Sequence, residues 1–120
     1  MPSCRIVIAA LLGLVFAPAC ATAHAILMAS IPPAGASVSA GKVDLSFRYN
    51  SRIDRARSRL TLTNPDHSQS VLKIMPDGPP DLLQASVELN APGAYVVRWQ
   101  VLAIDGHITR GDVPFTVMDH

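Results

Sequence analysis

The 120-residue chain carries ten Lys and Arg residues against nine Asp and Glu residues, for a formal net charge of +1 at pH 7. This balance gives no electrostatic reason to expect binding to nucleic acid or to an anionic membrane surface. The length suits one domain around a single core and is too short for two such domains.

The first 23 residues have the pattern of a cleaved signal peptide. Arg5 supplies a short positive region, residues 6–16 are an uninterrupted apolar run, and residues 21–23 (ATA) match the small-x-small pattern read by signal peptidase. The apolar run is about half of the ~20 residues that span a bilayer, so no retained anchor is expected. We predict export and a domain that begins at His24. Lipidation at Cys20 is the alternative, and it would leave the amine of His24 inside a peptide bond.

From residue 24 onward, the sequence predicts an all-β domain. Residues 42–49 alternate strictly between apolar and polar side chains, as in a half-buried strand. Similar patterns predict strands at residues 25–30, 59–64, 71–75, 82–89, 94–102 and 113–118, with a loop or short helical turn at residues 50–58. Seven strands with turn signals every 8–12 residues or so are typical of a Greek-key β-sandwich or small barrel.

The longest predicted strand supplies the centre of the expected core. Tyr95, Val97, Trp99 and Val101 share one face of this strand by their spacing. We expect Trp99 to be a packing residue rather than a functional one. Both cysteines of the chain precede residue 24, so the domain has no disulfide and depends on this packing for stability.

The segment Asp105-Gly106-His107, which follows this strand, is the strongest candidate site. In an extended segment, residues i and i+2 project to the same side, so Asp105 and His107 can point together. If the leader is removed before His24, that residue adds an α-amine and an imidazole. Three nitrogens and one carboxylate oxygen suit tetragonal Cu(II), whereas the missing thiolate excludes a blue-copper site. A surface loop beside a frayed polar terminus is the alternative interpretation.

Two groups of residues, one at each end of the domain, carry a resemblance to a known family. They are residues 24–27 (HAIL), Ser30, Pro32 and Ala34-Gly35, then Trp99, Val101, Asp105-Gly106-His107, Gly111, Pro114-Phe115 and Val117. Together they resemble the CopC-type periplasmic copper-binding, or copper-resistance, proteins over essentially all of residues 24–120.

This resemblance implies a cupredoxin-like, seven-stranded β-sandwich or barrel. It also implies one Cu(II) ion bound by the amine and ring of His24 together with Asp105 and His107. The implied role is copper carriage, buffering or resistance in the periplasm, linked to an inner-membrane partner of the CopD type. We expect a monomer.

The sequence departs from the family pattern in two places. Some members carry a methionine-rich loop for Cu(I), but here Met75 stands alone beside residues 76–81. We therefore predict no Cu(I) site, with Met28 and Met118 as core or edge fillers. Some members also have an acidic residue after the phenylalanine of the second strand. Here residues 48–50 (RYN) follow that phenylalanine, so the copper affinity is expected to differ.

Several further polar residues receive weaker predictions. Thr109 or Arg110 could orient Asp105, because metal ligands usually need such support. His67 is expected to be solvated in a polar turn. A last group is expected to form a solvated face with ion pairs to Asp54 rather than a docking edge: Arg52, Arg55, Arg57 and Arg59.

Three functions remain open at this point, and a copper-binding protein without enzymatic activity is favoured. A full equatorial plane would leave no good position for a substrate or for oxygen. A copper-dependent oxidative enzyme of the histidine-brace type, as in lytic polysaccharide monooxygenases, is the second hypothesis. Few aromatic residues are available for a sugar-binding face, which counts against it. A metal-free, immunoglobulin-like interaction module is the third.

Overall fold

The computed structural model describes residues 24–119; the predicted signal peptide at residues 1–23 and His120 lie outside the described residues. The described chain forms eight strands and one turn of 3-10 helix. The strands are β1 (Leu27–Ile31), β2 (Ala36–Ser39), β3 (Gly41–Tyr49), β4 (Arg59–Thr63), β5 (Gln69–Val71), β6 (Leu82–Leu89), β7 (Gly93–Leu102) and β8 (Ile108–Met118), and the helical turn is Arg55–Arg57. Between residues 24 and 119, no helix has the length and apolar character needed to cross a bilayer.

The strands form two sheets that face each other, which confirms the predicted β-sandwich. One sheet has three strands in the order β1-β3-β6, and the other has five in the order β2-β8-β7-β4-β5. All pairs are antiparallel except β2, which runs parallel to β8. The N-terminal segment therefore contributes a strand to each sheet: β1 to the three-stranded sheet and β2 to the five-stranded sheet.

The structure has eight strands where the sequence predicted seven. Strand β2 was missed because its sequence, ASVS, has a single large apolar residue and hence a weak alternating pattern. The predicted strand at residues 71–75 was wrong, since β5 is Gln69–Val71 and pairs with β4 only up to Val71. Leu72 and Ile74 instead pack at the edge of the core, which explains their apolar character.

The core consists of the inward side chains of both sheets, as the alternation predicted. Leu60, Leu62 and Val97 are almost fully buried, and Trp99 is 7% exposed. The described residues bury no charged side chain. Burial of each large apolar side chain stabilises the fold by roughly 1.5–3 kcal/mol. The Tyr95 hydroxyl donates to the Ala91 carbonyl at 2.7 Å, an arrangement known as a tyrosine corner in immunoglobulin-like sandwiches.

Strand β8 begins five residues earlier than the predicted strand at residues 113–118. It pairs with β7 along its whole length, from Gly93 opposite Val117 to Leu102 opposite Ile108. Residues 103–107 therefore form the tip of a long hairpin. This hairpin tip, the segment before β1 and the residue after β3 meet at one end of the sandwich, as shown by the contacts given below.

Candidate metal centre

A tight hairpin connection presents Asp105 and His107. The Gly106 amide donates to the Ala103 carbonyl at 2.9 Å, and the Ala103 amide donates to the His107 carbonyl at 2.8 Å. Gly106 has a φ of +92°, in the left-handed region that favours glycine. A glycine in this conformation is typical of short hairpin loops. The glycine between the two polar residues is thus required by the turn itself.

Asp105 and His107 contact each other directly. The backbone amide of His107 donates to Oδ1 of Asp105 at 3.0 Å, and Nδ1 of His107 lies 2.8 Å from Oδ2. These two hydrogen bonds, the backbone one first, lower the pKa of the Asp105 carboxyl below its ordinary value. The carboxylate therefore stays ionised under mildly acidic conditions, in the form that a metal ion requires.

His24 lies beside this pair, although 80 residues separate it from Asp105 in the chain. The ring centroids of His24 and His107 are 4.4 Å apart, with an edge-to-face angle of 78°. One ligand atom from each of His24, Asp105 and His107 lies within 4.8 Å of the others. Metal bonds of ~2.0–2.2 Å, as in zinc sites, place opposite donors about 4.0–4.4 Å apart. Neighbouring donors of one ion lie about 3 Å apart, so the three ligand atoms are spaced somewhat more widely than one coordination shell and would have to draw together around an ion.

The arrangement allows the Asp105 carboxylate two chemical roles. One role is direct coordination, in which a metal ion replaces the proton shared with His107. The other is orientation of the imidazole, because a carboxylate on Nδ1 fixes the tautomer and leaves Nε2 as the donor. In both cases the site needs His24 from the far end of the chain for a second nitrogen side chain.

Hydrogen bonds from two other elements hold the segment next to His24. The Thr109 hydroxyl donates to the Ala25 carbonyl at 2.9 Å. Ile26 exchanges two hydrogen bonds with Asn50, one with the side-chain oxygen at 2.8 Å and one with the backbone amide at 3.0 Å. Sequence reasoning missed both contacts. The placement of Thr109 two residues after His107 was the one signal that pointed to this region.

The predicted support of Asp105 by Thr109 or Arg110 was wrong. Thr109 binds the Ala25 carbonyl, and the Nε of Arg110 donates to the Gln100 side chain at 2.8 Å. Side chains alternate between the two faces of a strand, so these neighbours on β8 point to opposite sides. The hydrogen bonds to the Asp105 carboxylate come from His107.

The methionines and His67 lie in different settings. Met28 and Met118 are 63% and 47% exposed, so of the predicted core or edge positions they do not occupy the core. Met28 lies on β1, an edge strand, and Met118 is the last residue of β8. Met75 is 41% exposed and precedes the proline-rich loop. His67 is exposed in the turn between β4 and β5, as expected, with a φ of +72°.

The arginine segment is partly a solvated face and partly structural. Arg57 pairs with Asp54 at 3.3 Å, as predicted, and its side chain is 75% exposed. Arg55 behaves differently, because its guanidinium donates to several backbone carbonyls of the loop before β6. The acceptors are Pro76, Gly78, Pro79 and Leu82. Arg55 therefore adds side-chain hydrogen bonds to a proline-rich loop whose last three carbonyls also accept backbone hydrogen bonds.

Comparison with known families agrees with this architecture. The CopC domain family model matches residues 27–118, which is most of the chain. The chain belongs to the CopC family. Asp105 and His107 fall within the matched residues, whereas His24 lies just before them. The resemblance noted from the sequence is thus confirmed for the family, while the ligand set stays a prediction.

Solved CopC-type structures share the fold. CopC from Methylosinus trichosporium OB3b is 27% identical, with a TM-score of 0.71 over 81% of this chain and 96% of that one. PcoC from Escherichia coli is 26% identical, with a TM-score of 0.63 over 80% of this chain and all of that one. Protein YobA from Escherichia coli K12 is 28% identical over 100 residues, 79% of each chain.

Proposed function

We propose that this CopC-family protein binds one Cu(II) ion and serves copper carriage, buffering or resistance in the periplasm. The observation that carries the proposal is the convergence of His24, Asp105 and His107, whose ligand atoms lie within 4.8 Å of one another. Family membership supports it, since the similar protein PcoC is a methionine-rich copper resistance protein.

The donor chemistry favours Cu(II) over other divalent ions. Removal of the leader before His24 would provide an α-amine and an imidazole from one residue. The imidazole of His107 and the carboxylate of Asp105 would complete a plane of three nitrogens and one oxygen. Tetragonal nitrogen and oxygen coordination suits Cu(II), which also leads the affinity order of first-row divalent metals.

The exposure of the site favours carriage over catalysis. The His107 side chain is 62% exposed, so a partner's ligands can approach the ion directly. A plane filled by four protein donors leaves no equatorial position for oxygen or a substrate, and we propose no enzymatic activity. We propose a monomer that exchanges copper with an inner-membrane partner of the CopD type and binds no nucleic acid.

The test uses protein exported and processed by its own leader, with the N-terminal residue established by mass spectrometry. Cu(II) is titrated by calorimetry, and the EPR spectrum of the loaded protein is recorded. One tetragonal Cu(II) per chain is expected. His107→Ala should lower the affinity by at least about 100-fold, and one extra residue before His24 should weaken binding because it removes the amine.

His67→Ala is the matched control, because His67 is an exposed histidine outside the cluster. This variant should bind Cu(II) like the wild type. Equal binding by the His107→Ala, extended and wild-type proteins would refute the proposed ligand set. Oxidation of ascorbate with cleavage of a polysaccharide by the copper-loaded protein would refute the non-enzymatic role.

A further inference from the structure

The two residues that follow His24 are fixed from both sheets before the first strand begins. β1 starts at Leu27, so Ala25 and Ile26 lie outside its backbone ladder. The Thr109 hydroxyl, from the five-stranded sheet, donates to the Ala25 carbonyl. Asn50, which follows β3 of the three-stranded sheet, exchanges two hydrogen bonds with Ile26. Two side-chain hydrogen bonds and one backbone hydrogen bond thus hold the two residues that precede the strand ladder.

The burial pattern indicates that this anchoring is firm. Ala25 is 1% exposed and belongs to the hydrophobic core, so its carbonyl lies at the border of the core and Thr109 supplies its partner. Thr109 itself is only partly exposed. A polar group at such a position is costly to leave without a hydrogen bond, so the contact is expected to be retained in solution.

The anchoring fixes where the His24 imidazole can go. Each residue has two soft backbone torsions, so few bonds can rotate between a fixed Ala25 carbonyl and the His24 imidazole, and these include the two side-chain torsions of His24. Thr109 also lies two residues after His107 on the same hairpin. The hydrogen bond from Thr109 therefore ties the segment that carries His24 to the hairpin that carries His107, and Asn50 holds the same segment from the opposite sheet.

We propose that Thr109 and Asn50 are positioning residues of the copper site. They pre-order the segment that carries His24 and thereby raise the Cu(II) affinity without contacting the ion. The inference rests on the proposed function, because it assumes that His24 is a ligand. Without the two anchors, the protein would have to order this segment at the moment of binding, and the affinity would be lower.

Thr109→Val and Asn50→Ala test the inference. Each should weaken Cu(II) binding about tenfold, as is usual when a residue that orients a metal ligand is removed. Thr109→Ser retains the hydroxyl, so it should keep most of the wild-type affinity. Thr116→Val is the matched control, because Thr116 is an exposed threonine further along β8 and should bind normally.

A readout without copper separates positioning from general stability. In the metal-free protein, the Ile26 amide should exchange with solvent faster in Asn50→Ala, and NMR relaxation should show greater motion of residues 24–26 in Thr109→Val. The remaining amides should change little. The melting temperature of Thr109→Val should fall by several degrees, because the Ala25 carbonyl loses its partner. Lower melting temperature with unchanged affinity would overturn the inference, since the two residues would then be structural only.

Failure of the inference can be distinguished from failure of the proposed function. If His107→Ala and the N-terminally extended protein bind copper like the wild type, the proposed function fails. If those two lose binding while Thr109→Val and Asn50→Ala keep the wild-type affinity, only the positioning role fails. Because the two anchors lie on different sheets, poor folding of one variant leaves the other as an independent test.

Discussion

Gly111 is expected to tolerate no side chain, because it lies under the ring of Trp99. The two residues are opposite each other in the β7–β8 pair. A Cβ atom at Gly111 would lie 2.4 Å from Cζ2 and 2.7 Å from Cε2 of the indole. Carbon atoms pack at about 3.5–4.0 Å, so Gly111→Ala would require the ring or the strand to move by about 1 Å.

The ring has little room for such a movement. Trp99 is 7% exposed, and its ring lies edge-to-face against Tyr49 with centroids 5.3 Å apart. Forcing extra volume into a packed core costs typically 1–3 kcal/mol. We expect Gly111→Ala to lower the free energy of unfolding by about 2 kcal/mol, which corresponds to a fall of about 8–16 °C in melting temperature.

A double-mutant cycle with Trp99→Leu checks the mechanism. Urea unfolding of the metal-free proteins is followed by far-UV circular dichroism, because the cycle removes the single tryptophan. Gly111→Ala should cost much less in the Trp99→Leu background, giving a coupling of at least about 1 kcal/mol between the two positions. An equal cost in both backgrounds would refute the proposed ring contact as the reason for glycine at this position.

Three further predictions concern two tyrosine hydroxyl groups, the effect of acidic pH on stability and the effect of bound copper on stability. The Tyr49 hydroxyl is buried without a hydrogen-bond partner among the described residues, so Tyr49→Phe should raise the free energy of unfolding by about 1 kcal/mol. Tyr95→Phe should lower the free energy of unfolding by about 1 kcal/mol, because the Tyr95 hydroxyl makes a hydrogen bond. Equal losses of unfolding free energy for the two variants, measured by chemical denaturation, would contradict this contrast. The hydrogen bonds from His107 lower the pKa of Asp105 in the folded state. They therefore contribute to the free energy of unfolding at any pH above the ordinary carboxyl pKa of about 3.9. This contribution is lost as the pH falls through the lower pKa of the folded state. An NMR titration of the metal-free protein should show this carboxyl titrating below about 3.9, and a normal value would count against the hydrogen bonds. Free Cu(II) at about 100 times its Kd should stabilise the processed protein by about 2.7 kcal/mol in thermal melts. At the same copper concentration, His107→Ala should reduce this stabilisation to about 0.4 kcal/mol or less.

Much of the fold could be predicted from local patterns. Strict alternation identified residues 42–49 as a strand and a looser alternation identified residues 82–89, and the structure has β3 at Gly41–Tyr49 and β6 at Leu82–Leu89. Alternation works because an extended backbone turns successive side chains to opposite faces. The sequence of a half-buried strand therefore shows which of its side chains face the core. Alternation failed for the short β2, whose pairing with β8 depends on backbone hydrogen bonds rather than on large apolar side chains.

The candidate site, like the fold, could be predicted only in part from local sequence patterns. The i, i+2 spacing of Asp105 and His107 indicated a shared side, and the structure joins the two by hydrogen bonds. Their proximity to His24 was expected only through the resemblance to a family. Nothing in the local sequence of Thr109 indicated a contact with Ala25, which is 84 residues away.

The sequence by itself determined an all-β domain with a buried Trp99 and a polar Asp-Gly-His turn after its longest predicted strand. Only the tertiary structure decided that His24 lies against this turn, with Asn50 and Thr109 on either side of the following residues. The physical reason is that side-chain periodicity is a property of neighbouring residues. The meeting of distant residues depends instead on how two sheets pack and which strands lie at the same end of the sandwich.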